Sequence, residues 1–148
     1  MSKSLSGFMS ANKIVKENVF YPASRAFLDD KGDYLLWELK SLTSEEDSKI
    51  RESSYFQVPA KGKNGKVIRG QTVKELSGET YTAKLAVASV EFPDLQNAEL
   101  QDSYGVKTPV DLLRAMLDPG ELANLMIKVQ ELCGFDIDMD ELVDDAKN

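Results

Sequence analysis

Two helix starts, one after the other, constrain this chain more than any other feature. "TPVDLLRAML" begins with Thr108 as a cap, Pro109 at the first helical position and Asp111 in the first turn. Pro is tolerated at that position because its missing N–H would have no partner there, and an acid near it favours the positive end of the helix dipole. "DPGELANLMIKVQELCG" repeats the device with Asp118, Pro119 and Glu121, and it stops at Gly134. Within this second helix Leu122, Leu125, Met126, Val129, Leu132 and Cys133 recur at helical spacing and form one apolar stripe. Two short helices that cannot merge must bury those stripes, either against the rest of the chain or against a partner.

The remainder divides into a β-rich part, 13–77, and an α-rich part, 78–148, with 1–12 as a small, polar, flexible tail. Within that tail Phe8 and Met9 are unusual for full exposure and suggest docking on a neighbour. "NVFYPASRAFL" and "YLLWELKSL" are rich in aromatic and branched residues and flank "DDKGD", the pattern of a β-hairpin in which Leu35, Trp37 and Leu39 share a face. "LTSEED" opens a short helix with Thr43 and Glu46 as a capping box. Asn64-Gly65 between strand-like arms suggests a second hairpin closed by a type I′ turn. From Gly78 a largely buried helix runs to Pro93, with Lys84 and Glu91 on one stripe, and a short helix between Asn97 and Gly105 follows. The expected class is α+β, one domain over 13–148, with an N-terminal hairpin sheet against a predominantly helical C-terminal half.

Composition narrows the function. The chain has 148 residues and no histidine, which removes the commonest general base and most zinc sites, so neither catalysis nor a cofactor or metal is expected. One cysteine, Cys133, permits no internal disulfide, suits a reducing compartment and reads as a buried structural thiol. No apolar run approaches membrane-spanning length and the first residues lack a signal-peptide core, so neither a membrane nor export is expected. The net charge of −7 is uneven: residues 1–90 carry +3 and residues 91–148 carry −10.

Two motifs compete with blander readings. Asp136, Asp138 and Asp140 alternate like the first ligands of an EF-hand loop, but the sixth position is Glu141 rather than Gly and the twelfth is Lys147 rather than Glu. Those acids instead suit a helix start capped by Asp138, with Glu141 as its partner. "KGKNGKVIRG" has four cations, yet Gly65-Lys66 is followed by Val67, which fails a phosphate-binding loop. It also lacks an aromatic residue to stack on bases and reads first as a solvated hairpin tip. A small nucleic-acid or nucleotide-binding regulator acting through this basic 61–69 loop is the alternative function.

"ASRAFLDDKGDYLLWELKSLTSEED" (23–47) and the stretch 92–148, with "PDLQNAELQDSYGV" and "KVQELCGFD", resemble the phage tail assembly chaperones. The similarity is to the XkdN-like group of contractile-tailed phages and PBSX-type prophages of Gram-positive bacteria, and it leaves out 1–12 and 56–77. It implies a non-enzymatic factor in the host bacterial cytoplasm that binds the tape measure protein, keeps it soluble and assists tail tube assembly without entering the virion. It further implies contacts with the tail tube protein, a frameshifted longer form of the chain and homo-oligomers. Apolar helical stripes suit such a client, so Leu112, Met116, Leu125, Met126 and Val129 are the candidate gripping residues, against the simpler reading that they form the core.

Overall fold

The computed structural model describes residues 3–135 and is α+β. Strand β1 (Val19–Tyr21) pairs antiparallel with β2 (Trp37–Leu39), and the chain between them turns at Asp29–Asp33 as the hairpin pattern requires. Asp29 accepts from the amides of Lys31 and Asp33, and Leu28 bridges Tyr34. Trp37 and Leu39 face inward and are buried, whereas Leu35 is 46% exposed. The expected shared face therefore ends at Trp37, because Leu35 belongs to the inner ladder at the turn, its amide donating to Phe27.

Helix α1 (Ser44–Glu52) starts at the expected capping box: the Thr43 hydroxyl accepts from the Glu46 amide at 3.2 Å and Glu46 accepts from the Thr43 amide at 3.1 Å. Strands β3 (Tyr55–Lys61) and β4 (Val67–Leu76) follow as a two-stranded ribbon. Its tip differs from expectation. Gly65 has φ +78° but Asn64 does not take positive φ, so the turn is not type I′. Gly62 and Lys66 close a three-residue loop instead, the pattern in which a turn ends in one left-handed residue. A register shift lower down coincides with Gly70, at φ +76°.

Helix α2 (Gly78–Ser89) is capped by Ser77 and buries Tyr81, Ala83, Leu85, Ala86 and Ser89. It stops four residues short of Pro93, and Val90–Phe92 forms β5, paired antiparallel to β2. Val90 and Phe92 are strand formers, and the residue before proline disfavours helix. Glu91 consequently leaves the stripe of Lys84 and pairs with Lys40 at 3.4 Å, while Lys84 donates to the Ser53 carbonyl. Helices α3 (Ala98–Ser103), α4 (Pro109–Met116) and α5 (Pro119–Leu132) complete the fold, the first two capped by Asn97 and Thr108 as anticipated.

The core lies between the inner sheet face, α2, α4 and α5, built around Trp37, Leu39, Leu85, Leu112, Leu113, Leu125 and Val129. Polar ties stitch its edges. Glu121 accepts from the amides of Asp118 and Arg25 and from the Ser24 hydroxyl, joining the start of α5 to the chain after β1. Those amide bonds, Asp118 first, hold its carboxyl below the usual carboxylate range. Tyr81 bonds Asp47 and lies under the Arg51 guanidinium at 4.5 Å, joining α2 to α1; burial first and the Asp47 bond second push its hydroxyl pKa up.

Candidate partner-binding surface

The five candidate gripping residues separate in the structure. Leu112, Leu125 and Val129 have 0% exposure, and Met126 is half-buried against them. The stripe of α5 is consumed by the domain's own need to cover α2 and the sheet, so in this conformation those three leucine and valine side chains offer nothing to a partner. Met116 is the exception, because it reaches a groove on the far side of the sheet.

That groove arises from an irregularity in strand pairing. Leu39 opposes Val90, yet Glu38 opposes Phe92, so β5 carries one residue more than β2 over this step. In a regular strand Val90 and Phe92 would share a face. The bulge turns Phe92 outward, which is how bulges commonly re-aim a side chain. Val90 is 8% exposed and Phe92 62%. Phe92 then stands beside Glu38, which opposes Phe20 on β1, itself 62% exposed.

Around Phe92 the chain adds Leu35 and Leu36 from the approach to β2, Pro93, Leu100 and Tyr104 from α3 and its cap, and Met116 at the end of α4. Phe27 and the edge of Trp37 complete a cavity of about 220 Å³. Its lining side chains are apolar save for the Tyr104 hydroxyl and the indole N–H of Trp37, and it is smaller than the roughly 300–1,000 Å³ of drug-sized ligand sites. It suits one or two apolar side chains of a macromolecule. Exposed Phe20, Leu28 and Tyr34 extend the apolar surface around it, a feature that marks interaction sites.

The rim is acidic. Residues 91–106 contain Glu91, Asp94, Glu99 and Asp102 and no lysine or arginine. Glu91 is engaged by Lys40; Asp94, Glu99, Asp102 and Glu38 have no ion-pair partner among the described residues. The basic 61–69 segment lies elsewhere, on the ribbon, with Lys61, Lys63, Lys66 and Arg69 exposed and likewise unpaired among those residues. No group of three or more metal-ligating side chains occurs among the described residues, and no helix there is long and apolar enough to cross a membrane. The acidic alternation at 136–140 lies outside them. Cys133 is half-buried at the end of α5.

Sequence reasoning missed Leu36, Phe92 and Tyr104. Leu36 had a signal: in "YLLW" adjacent leucines point to opposite sides of an extended chain, so one had to face outward. Phe92 had none, because the bulge is a property of pairing.

An apolar groove on an acidic segment, beside a small sheet with helices packed on its inner face, is the architecture of a binding protein. Comparison with known proteins identifies which kind. A model of the phage XkdN-like tail assembly chaperone proteins matches residues 5–147, and the chain belongs to that family. The match runs through 56–77, which the resemblance had left aside. The chain is similar to the phage-like element PBSX protein XkdN of Bacillus subtilis (strain 168), with 32% identity over 145 residues, 97% of this chain and 93% of the relative. The protein YqbN of the same organism shows the same identity and coverage. The crystal structure of YqbN superposes with a TM-score of 0.74 at 26% identity, covering 92% of this chain and all of that one.

Proposed function

We propose that this tail assembly chaperone binds the tape measure protein in the host bacterial cytoplasm, keeps it soluble while the tail tube assembles around it, and leaves before the virion is complete. The supporting observation is the groove at Leu36, Phe92, Tyr104 and Met116, an exposed apolar recess, where the stripe of α5 is buried in the core. A long helical client exposes apolar rows that aggregate in water, and a recess that takes one or two of their side chains shields them. Methionine at its floor adapts to varied side chains, which suits a client gripped at several points. The acids of 91–106 favour client segments whose apolar residues are flanked by lysine or arginine and keep the complex dissolved. Any frameshifted longer form would carry the same groove.

Co-expression of the full chain with the tape measure protein, followed by affinity purification and light scattering, tests this. A soluble co-eluting complex is expected, with Leu36→Glu and Phe92→Ser losing at least about tenfold of the capture, as central anchor residues do. Both positions are about half exposed or more, so the variants keep the fold. A tape measure protein that remains insoluble with the wild-type chain, or capture unchanged by both substitutions, would overturn the groove as the client site. The nucleic-acid reading retains one observation in its favour, the four exposed unpaired cations of the ribbon, and the next experiment includes it as an outcome.

A further inference from the structure

Among the described strands and α-helices, the β3–β4 ribbon has the largest share of exposed residues. Of its residues only Ala60 is buried and Val58 and Leu76 are half-buried. Yet one side is apolar: Val58 opposes Val73, with Phe56, Ala60 and Ile68 nearby on the two strands, and Phe56 and Val73 are 47% and 52% exposed. A two-stranded ribbon without a third layer is marginally stable in water, so an apolar face left open on it points to a partner.

Charge selects among partners. Residues 57–74 carry Lys61, Lys63, Lys66, Arg69 and Lys74 and no acid, and only Lys74 has an ion pair, with Glu52. Pairing of two ribbons would set these cations against each other. The groove offers the converse: an apolar recess built partly by 91–106, a segment that carries Asp94, Glu99 and Asp102, unpaired among the described residues, and no cation. No ribbon residue lines the groove of its own chain. The ribbon springs from the start of α2, where the Ser77 amide bonds the Ser54 carbonyl, whereas the groove lies beyond the end of α2. Twelve helical residues, about 18 Å, separate the two.

We propose that the ribbon of one copy docks into the groove of a second copy, its apolar face on Leu36, Phe92 and Tyr104 and its cationic tip against Glu99 and Asp102. The contact joins two different surfaces, so it builds a chain of copies or closes into a ring. Screening shortens the reach of exposed charges to about 8 Å at physiological salt, which makes this self-association salt-sensitive. Client binding and self-association would then draw on one groove.

The test uses the full chain without any client, so its outcome is independent of the tape measure reading. Light scattering at low salt should give a mass at least about twofold the monomer's 16.5 kDa, falling toward the monomer at high salt. A ribbon variant, with Lys61, Lys63, Lys66 and Arg69 all changed to Glu, and a groove variant, Glu99→Lys with Asp102→Lys, should each be monomeric. All six positions are exposed, and unchanged circular dichroism and melting temperature would establish that both variants fold. Mixing the two variants makes both cross-contacts complementary, the wild-type ribbon with the wild-type groove and the Glu ribbon with the Lys groove, and should regenerate a complex. A wild-type monomer at low salt and high concentration, or an assembly indifferent to both variants, would overturn the proposal, as would a mixture that fails to associate. Salt-sensitive binding of a DNA duplex lost only in the ribbon variant, with the wild type monomeric, would assign the ribbon to nucleic acid instead.

Discussion

Helix α5 and the β3–β4 ribbon are both patterned with apolar residues at the period of their secondary structure, and the molecule treats them in opposite ways. The stripe of α5 disappears against α2 and α4, with Leu125 and Val129 at 0% exposure. The apolar row of the ribbon stays open, with Val73 at 52%. Periodicity specifies which residues share a face, but it does not say whether the fold has a second layer to cover that face. A helix entering a body with a sheet and three neighbours finds one. A ribbon leaving that body between Ser54 and Ser77 does not. Apolar patterning thus serves stability in α5 and remains available for association in the ribbon.

The largest effect should come from removing a side chain on the covered side. Leu125→Ala empties a fully buried position, and the lost transfer energy plus the residual cavity should cost about 2–5 kcal/mol in denaturant unfolding. If the loss were below about 1 kcal/mol, α5 would not be integral to the core and its stripe would return as a candidate client surface.

Much of this contrast was readable from sequence, and the unread part has a physical cause. The helix starts that the sequence marked with caps at Thr43, Asn97 and Thr108 form where expected, because a cap is satisfied within three residues; the start marked at Asp138 lies outside the described residues. The turn at Asp29–Asp33 is equally local. The assignments that changed depend on pairing across the fold. Val90–Phe92 became a strand because β2 had a free edge, and Phe92 faced outward because the pairing bulges there. Assigning Leu112, Leu125 and Val129 to the core rather than to a client required knowing that α4 and α5 cover α2.

Next in size is the cap that starts α1, the helix leading into the ribbon. Thr43→Ala removes the hydroxyl that accepts from the Glu46 amide and should cost about 1 kcal/mol. It sharpens the comparison because α1 leads directly into β3. Equal loss in the melting of the body and in amide protection of the ribbon would show the two unfolding together. A loss confined to the ribbon would make it a separate unit.

A smaller effect is expected from acid. Glu121 is held below the free-glutamate value of 4.5 by the amides of Asp118 and Arg25. Its stabilising contribution is therefore complete above that value and drains away as pH falls through the lower folded pKa. In Glu121→Gln this part of the acid limb should flatten, seen as a shallower fall in melting temperature below pH 4.5 than in the wild type. An acid limb of unchanged steepness would mean that the tie between α5 and Ser24–Arg25 does not persist in solution.

Least of all should change when the open side is altered. Val73→Ser substitutes a side chain that is 52% exposed and opposes Val58, so global stability should move by no more than about 0.5 kcal/mol. The same substitution removes an apolar contact from the face proposed to meet a second copy, so association should weaken while melting does not. Hydrogen exchange separates the causes. Ribbon amides should exchange faster than those of α2 and α5, since the ribbon is far less buried than either helix. At concentrations where copies associate, those ribbon amides should gain protection in the wild type and less in Val73→Ser. Should Val73→Ser instead destabilise the whole domain as Leu125→Ala does, the ribbon face would be covered within the monomer, and the distinction between a consumed stripe and an open one would fail.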